Sequence, residues 1–333
     1  MTDATMPDSH TDLLIVGAGP VGLYASYYAG FRGLSVTIID SLEEIGGQIT
    51  ASYPEKIISD VAGFSSIRGA DLVEGLRIQA QRYSPEFFLG DTVITCEILD
   101  DGTYRVTTAA QRTLTARAVL LAAGLGSFTP KPLPAAIGTL STKVMSFVPQ
   151  LSVFDDKNVA IVGGGDSAVD WALAALDRAR SVTVIHRRPR FRAHEANVQQ
   201  MMNSAITVIA PGELVELIGK DDISQIAVDH FDGSDAPVTH DCDLVVAALG
   251  FSSSLGPLLD WGLDFSGRHI VVAPTMQTSR ERVYAVGDVS TYPGKVRLIS
   301  VGFGEAAIAV NHIAADLDPT AQLFPGHSTS TEE

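Results

Sequence analysis

Leu13-Leu14-Ile15-Val16-Gly17-Ala18-Gly19-Pro20-Val21-Gly22 runs from four consecutive apolar residues straight into three glycines spaced as GxGxxG. An apolar run of this length that stops at glycine reads as a buried strand and its turn. Helix-compatible residues from Leu23 to Phe31 follow, then Val36-Thr37-Ile38-Ile39-Asp40, a second strand closed by a carboxylate. The three pieces make a βαβ unit. In such a unit the glycines (Gly17, Gly19 and Gly22, with Pro20 opening the helix) let the backbone approach a pyrophosphate, whose charge the N–H groups and helix dipole stabilise.

The same grammar returns at Val159-Ala160-Ile161-Val162, then Gly163-Gly164-Gly165-Asp166-Ser167-Ala168, a helix through Leu176, and Val182-Thr183-Val184-Ile185-His186. The offset is constant at 146 residues, Gly17 mapping to Gly163, Gly22 to Ala168 and Asp40 to His186. One GxGxxG is weak evidence; two, each with its strand, helix and downstream strand, are strong. Each unit closes on a similar phrase, Ala118 to Gly124 and Leu244 to Gly250. The first module is longer, its surplus including Ile45 to Phe64. After Gly250 there remain one strand-like phrase, Val283 to Asp288, and an Ala-rich helix candidate, Gly304 to Leu317, too little for a third module. The expected fold is therefore α/β, with two nested three-layer, Rossmann-like dinucleotide-binding domains. The outer domain is discontinuous (12–126 and 251–333), the inner is inserted (127–250), and 1–11 form a flexible arm.

Composition fits that plan. The 333 residues are 46% apolar and 19% charged, as in globular chains with room for two cores. The polar, acidic start lacks the pattern of a signal peptide, and the apolar runs are far shorter than the roughly 20 residues of a spanning helix. Only Cys96 and Cys242 are present, with no CxxC and no metal-ligand grouping, which points to a reducing compartment, the cytoplasm. A formal charge of −16 argues against nucleic acid or an anionic membrane as partner.

The residue that ends the second strand separates the two modules. Asp40 accepts hydrogen bonds from ribose hydroxyls and repels a 2′-phosphate, predicting FAD or NAD. At the matching place stand His186-Arg187-Arg188, with Arg190 and Arg192 behind them. Planar guanidinium forks suit a phosphate, predicting NADP(H). Asp166 and Ser167 follow Gly163 and Gly165, and are expected to cap the helix that Ala168 enters.

Gly17 to Leu23, Gly46-Gly47-Gln48, Gly163 to Ala168 and Gly287-Asp288 together resemble the thioredoxin-reductase-like flavoproteins. Further phrases, Tyr53-Pro54-Glu55-Lys56, Asp60 to Phe64, His186 to Glu195, Ser253 to Pro257 and His327 to Ser330, resemble the ferredoxin-NADP reductases of that fold. The likeness runs from about Asp12 to the C-terminus. Thioredoxin reductases carry a CxxC before the second glycine turn, whereas Phe128 to Val162 holds no cysteine, so a disulfide relay is excluded. Val21 stands where a bacillithiol-disulfide-reductase-like chain would have its cysteine, and no FxGxxxH of a flavin monooxygenase occurs.

The resemblance implies FAD contacts from Asp40, Gln48, Tyr53, Val93, Phe128, Asp288 and Thr329, with Tyr53 stacked on the isoalloxazine and His327 covering its other face from a partner subunit in a homodimer. Read from the residues alone, Val93 and Phe128 are equally well core residues and Tyr53 a loop anchor. The implied reaction passes a hydride from NADPH to flavin N5, then single electrons to ferredoxin or flavodoxin. A small-molecule acceptor such as a quinone, and a nucleotide sensor without turnover, are the competing readings. Lys56, Lys131, Lys295 and Arg297 are candidates for a docking patch, or simply solvated cations.

Overall fold

Parallel strands buried on both faces need unbroken apolar runs, and the first run supplies one. The computed structural model describes residues 9–133, 138–231, 233, 236–324 and 326. The chain divides into two units, one running to residue 127 and resuming at 253, the other spanning 128–252.

In the first unit the order is β1 (Ser9–Val16), α1 (Pro20–Phe31), β2 (Val36–Asp40), α2 (Gln48–Ser52), β3 (Ile57–Ile58), β4 (Ile67–Arg68), α3 (Gly69–Gln81), β5 (Glu86–Leu89), β6 (Val93–Ile98), β7 (Tyr104–Thr108) and β8 (Thr113–Leu121). Strands β5, β2, β1 and β8 lie side by side in parallel, and β7 and β6 extend the sheet antiparallel. Leu13, Leu14 and Ile15 are fully buried, each such side chain contributing roughly 1.5–3 kcal/mol. The first strand starts earlier than expected. Ser9 pairs with Leu114 and His10 with Thr115, so residues 9–11 belong to the sheet and not to the arm assigned to 1–11.

The chain leaves through β9 (Ser127–Pro130). The second unit then holds β10 (Asn158–Val162), α4 (Asp166–Ala175), β11 (Ser181–Ile185), α5 (Glu195–Met202), β12 (Thr207–Ile209), the antiparallel meander β13 (Glu213–Gly219), β14 (Ile223–Asp229) and β15 (Val238–Asp241), and β16 (Leu244–Ala247). Its parallel order, β12-β11-β10-β16, repeats that of the first unit. Even the register is copied: Val16 faces Ile39, and Val162 faces Ile185 at the same offset.

The chain returns through β17 (Phe251–Ser254), which pairs with β9. Short strands β18 (Phe265–Ser266) and β19 (His269–Val271) follow, then β20 (Val283–Ala285), β21 (Ser290–Thr291) and α6 (Ile299–Leu317). β20 joins the first sheet beside the C-terminal end of β8, completing it from a segment far along the chain. α6 packs on α1 and begins five residues before the expected Gly304. No helix of the described residues is long and apolar enough to cross a membrane.

Candidate functional site

The outer glycine turn is shaped by contacts that only glycine permits. Gly17 has φ +114°, and a Cβ there would lie 2.4 Å from the Ala122 oxygen. A Cβ on Gly22 would lie 1.9 Å from the Gly17 oxygen. Helix α1 starts at Pro20 with Gly19 as its N-cap and no side chain capping it, which leaves first-turn N–H groups for another acceptor. Asp40 Oδ2 accepts from the Ala18 N–H at 2.6 Å and Oδ1 from Leu42 N–H at 2.8 Å. Burial pushes the Asp40 pKa up, and the two N–H bonds oppose that shift. Gly46 N–H returns to the Ala18 oxygen at 2.9 Å, so Gly47 and half-buried Gln48 stand beside Gly19.

Asp288 reaches the same turn from the other end of the chain. Gly287 and Gly302 both pack against Val21 of the turn, where a Cβ on Gly302 would lie 2.5 Å from Val21 Cγ2. The Asp288 carboxylate receives no donor among the described residues, and with Asp60 it raises the Tyr53 hydroxyl, already pushed up by burial, to about 12. Gly90 and Asp91 donate to the Leu42 and Asp40 carbonyls, which brings Val93 near the end of β2, with its side chain 4% exposed in the core. The structure thus gathers Gly17, Gly19, Pro20, Gly22, Asp40, Gln48, Tyr53 and Asp288 in one unit. His327, Thr329 and the side chain of Phe128 lie outside the described residues.

The inner turn copies the outer one with different side chains. Gly163 N–H donates to Ile185 O at 3.0 Å, as Gly17 N–H does to Ile39 O at 2.8 Å. Gly164 O accepts from Arg192 N–H at 2.7 Å, the counterpart at the same offset of Ala18 O and Gly46 N–H. The His186 ring fills the space that Gly164 leaves, with ring atoms 2.3 Å from where a Cβ would stand, and lies 5.1 Å from the Phe191 ring. Burial, then the charges of Arg188, Arg187 and Arg192, lower its pKa against a bond to the Arg190 carbonyl. Arg187, Arg188, Arg190 and Arg192 are all exposed, and none forms an ion pair among the described residues. Four guanidinium groups without an ion pair among the described residues gather in an acidic chain, an arrangement that suits an anion.

One expected role is corrected here. Asp166 does not cap α4: Gly165 is the N-cap, with no side-chain cap, and Asp166 is the first helical residue, followed by Ser167 and buried Ala168. The Asp166 carboxylate faces the arginine loop, accepting from His194 N–H at 2.8 Å. A helix start left uncapped at a glycine turn still suits a pyrophosphate.

The docking candidates also separate. Lys56 and Arg297 are exposed in the first unit and Lys131 in the second. Lys295 is not a surface cation, because its side chain is 3% exposed and paired with Glu305. Glu305 was invisible to motif reading, although a lone acid on the apolar stripe of α6, among Gly302, Ala306, Ala309 and Val310, was its signal. Cys96 and Cys242 are buried and free, and no group of His, Cys, Asp and Glu among the described residues suits a metal.

Comparison with known proteins agrees with this geometry. The model of the family "pyridine nucleotide-disulphide oxidoreductase" matches residues 11–311. The ferredoxin-NADP reductase of Saccharopolyspora erythraea is 51% identical over 319 residues, covering 96% of this chain and 97% of that one. That of Thermus thermophilus is 46% identical over 330 residues, covering 97% and 98%. Among solved structures, the thioredoxin reductase of T. acidophilum is similar with a TM-score of 0.74 at 26% identity, covering 93% of this chain and 99% of that one. With two glycine turns in register and relatives about half identical over nearly their whole length, the chain belongs to the pyridine nucleotide-disulphide oxidoreductase family, among its thioredoxin-reductase-like ferredoxin-NADP reductases.

Proposed function

We propose that this protein transfers electrons between NADPH and ferredoxin through FAD, the FAD held by the first unit and the NADPH by the second. FAD, when bound, takes a hydride at N5 and gives electrons up one at a time. The chain's part is to bind and orient. The turn from Gly17 to Gly22 gives the pyrophosphate its N–H groups, Asp40 the adenosine ribose its acceptor, and Asp288 a second carboxylate for the ribitol, with Gln48 and Tyr53 beside them. In the second unit Gly163 to Ala168 take the pyrophosphate, and Arg187, Arg188 and Arg192, ordered by His186 and Asp166, take the 2′-phosphate.

The observation that carries this reading is the contrast between the two copies of one turn. Where the first ends its second strand on Asp40, the second runs on through His186 into exposed arginines with no acidic partner among the described residues. The absence of CxxC in the sequence leaves no internal dithiol for the electrons, so they pass to an external acceptor. Flavodoxin as a substitute acceptor, a homodimer completed by His327 and Thr329, and a cytoplasmic location belong to the same proposal. NADPH-driven cytochrome c reduction, measured with and without ferredoxin, tests it. Ferredoxin is expected to accelerate the reaction; if it does not, a small-molecule acceptor replaces it while the flavoenzyme reading stands.

A further inference from the structure

Two opposite charges lie buried behind the turn that carries Asp288. The side chains of Lys295 and Glu305 are each 3% exposed and paired with one another. Glu305 Oε1 also accepts from the Tyr292 hydroxyl at 2.7 Å, and Oε2 accepts from the Gly287 N–H at 2.7 Å. Ser290 Oγ donates to the Gly287 carbonyl at 2.9 Å and receives Lys295 Nζ at 3.4 Å. His269 Nδ1 donates to the Asp288 carbonyl at 2.9 Å. The peptide groups on both sides of Asp288 are therefore fixed, around a Gly287 with φ +73°.

Local sequence brings the lysine there. In Tyr292-Pro293-Gly294-Lys295 proline presets the turn and Gly294, at φ +83°, closes it, Lys295 N–H meeting Tyr292 O at 3.1 Å. The ammonium then sits 5.4 Å from the centre of the Tyr292 ring.

Stability alone does not call for such a pair, since apolar residues of equal volume often hold a core as well or better. What apolar residues cannot do is accept the buried Gly287 N–H. We propose that Glu305, with its charge balanced by Lys295, is a positioning residue for the flavin site: it anchors Gly287 and so aims the Asp288 carboxylate at the ribitol of FAD. This rests on the reading of the first unit as the FAD site.

The test uses the full-length holoenzyme in two neutral backgrounds, both carrying Lys295→Met and Tyr292→Phe, one with Glu305→Gln and the other with Glu305→Leu. Gln keeps an acceptor for Gly287 and Leu removes it. FAD dissociation constants, the visible flavin spectrum and Tm are read for each. The Gln background is expected to hold FAD within about threefold of the unaltered protein, and the Leu background to lose at least about tenfold, the cost of leaving the buried Gly287 N–H without an acceptor, with a shifted flavin spectrum. Equal FAD affinity in the two backgrounds, whether both strong or both weak, overturns the proposal. Should the Leu background fail to fold, Asp288→Asn decides. It is expected to weaken FAD by the same factor in the unaltered protein and in the Gln background, and no loss in either overturns the proposal. A protein that binds no FAD without any substitution overturns the first-unit reading instead.

Discussion

At the scale of single residues, charge is the proposed selector of the nucleotide. A 2′-phosphate held, as proposed, by charge-assisted forks from Arg187 and Arg188 would bind more tightly by an amount that one such bond sets at about 1.5–3 kcal/mol. Replacing both by alanine is expected to raise KM for NADPH at least about tenfold with kcat little changed, and to leave NADH kinetics as they were. Steady-state assays with both nucleotides check this, and equal loss with NADH would contradict it. The cluster was legible in the sequence as a charge run directly after a glycine-module strand, and the structure leaves its side chains exposed. Lys295 was not, since nothing in a run of letters tells a buried lysine from a solvated one; its partner Glu305 lies on another element.

The two thiols are quiet for a physical reason. Burial pushes Cys96 and Cys242 to about 11 from the ordinary 9.0, against opposing bonds. An unfolded thiol ionises near 9.0 and a folded one only near 11, so this contribution is intact below 9 and lost as pH rises through about 11. Denaturant midpoints are expected to fall across that window, and to fall less in a Cys96→Ala, Cys242→Ala variant. At neutral pH a thiol reagent is expected to label neither residue until the chain unfolds.

At the scale of elements, the two strand-turn-helix pieces carry different burdens at different glycines. A Cβ on Gly17 would strike the backbone of Ala122, and its φ of +114° already disfavours a side chain. Gly17→Ala is therefore expected to lower both Tm and flavin content. Gly165 has ordinary dihedrals, and nothing stands within 4 Å of an added Cβ. Gly165→Ala is expected to leave Tm unchanged and raise KM for NADPH, because the methyl group enters only the space a pyrophosphate needs. Thermal unfolding and kinetics on the two variants separate these effects, and a Gly165→Ala protein with full NADPH affinity would contradict the placement. Strand and helix positions followed from apolar periodicity, as did the pairing of each turn with its second strand. The role of Asp166 did not, because its partner is the main-chain N–H of His194, a group every residue type carries.

At the scale of the whole chain, nesting lies in the order of the elements. The last strand of the first sheet, β20, comes from beyond the second unit and pairs with β8. The start of the sheet at Ser9 was hidden because His10 and Thr11 look polar, yet they lie on a strand whose neighbour, β8, is long enough to pair with them. A shared register at one constant offset gives two copies of one glycine turn in a single chain, proposed here for a resident flavin and for the nucleotide that exchanges electrons with it.

That account is tested most directly by mixing the purified protein with NADPH without oxygen, following the visible flavin absorbance, then adding oxidised ferredoxin. The account predicts bleaching by NADPH, much slower bleaching by NADH at the same concentration, and rapid return of the flavin colour when ferredoxin arrives. A flavin that NADPH leaves coloured, or a bleached flavin that ferredoxin does not restore, would contradict it.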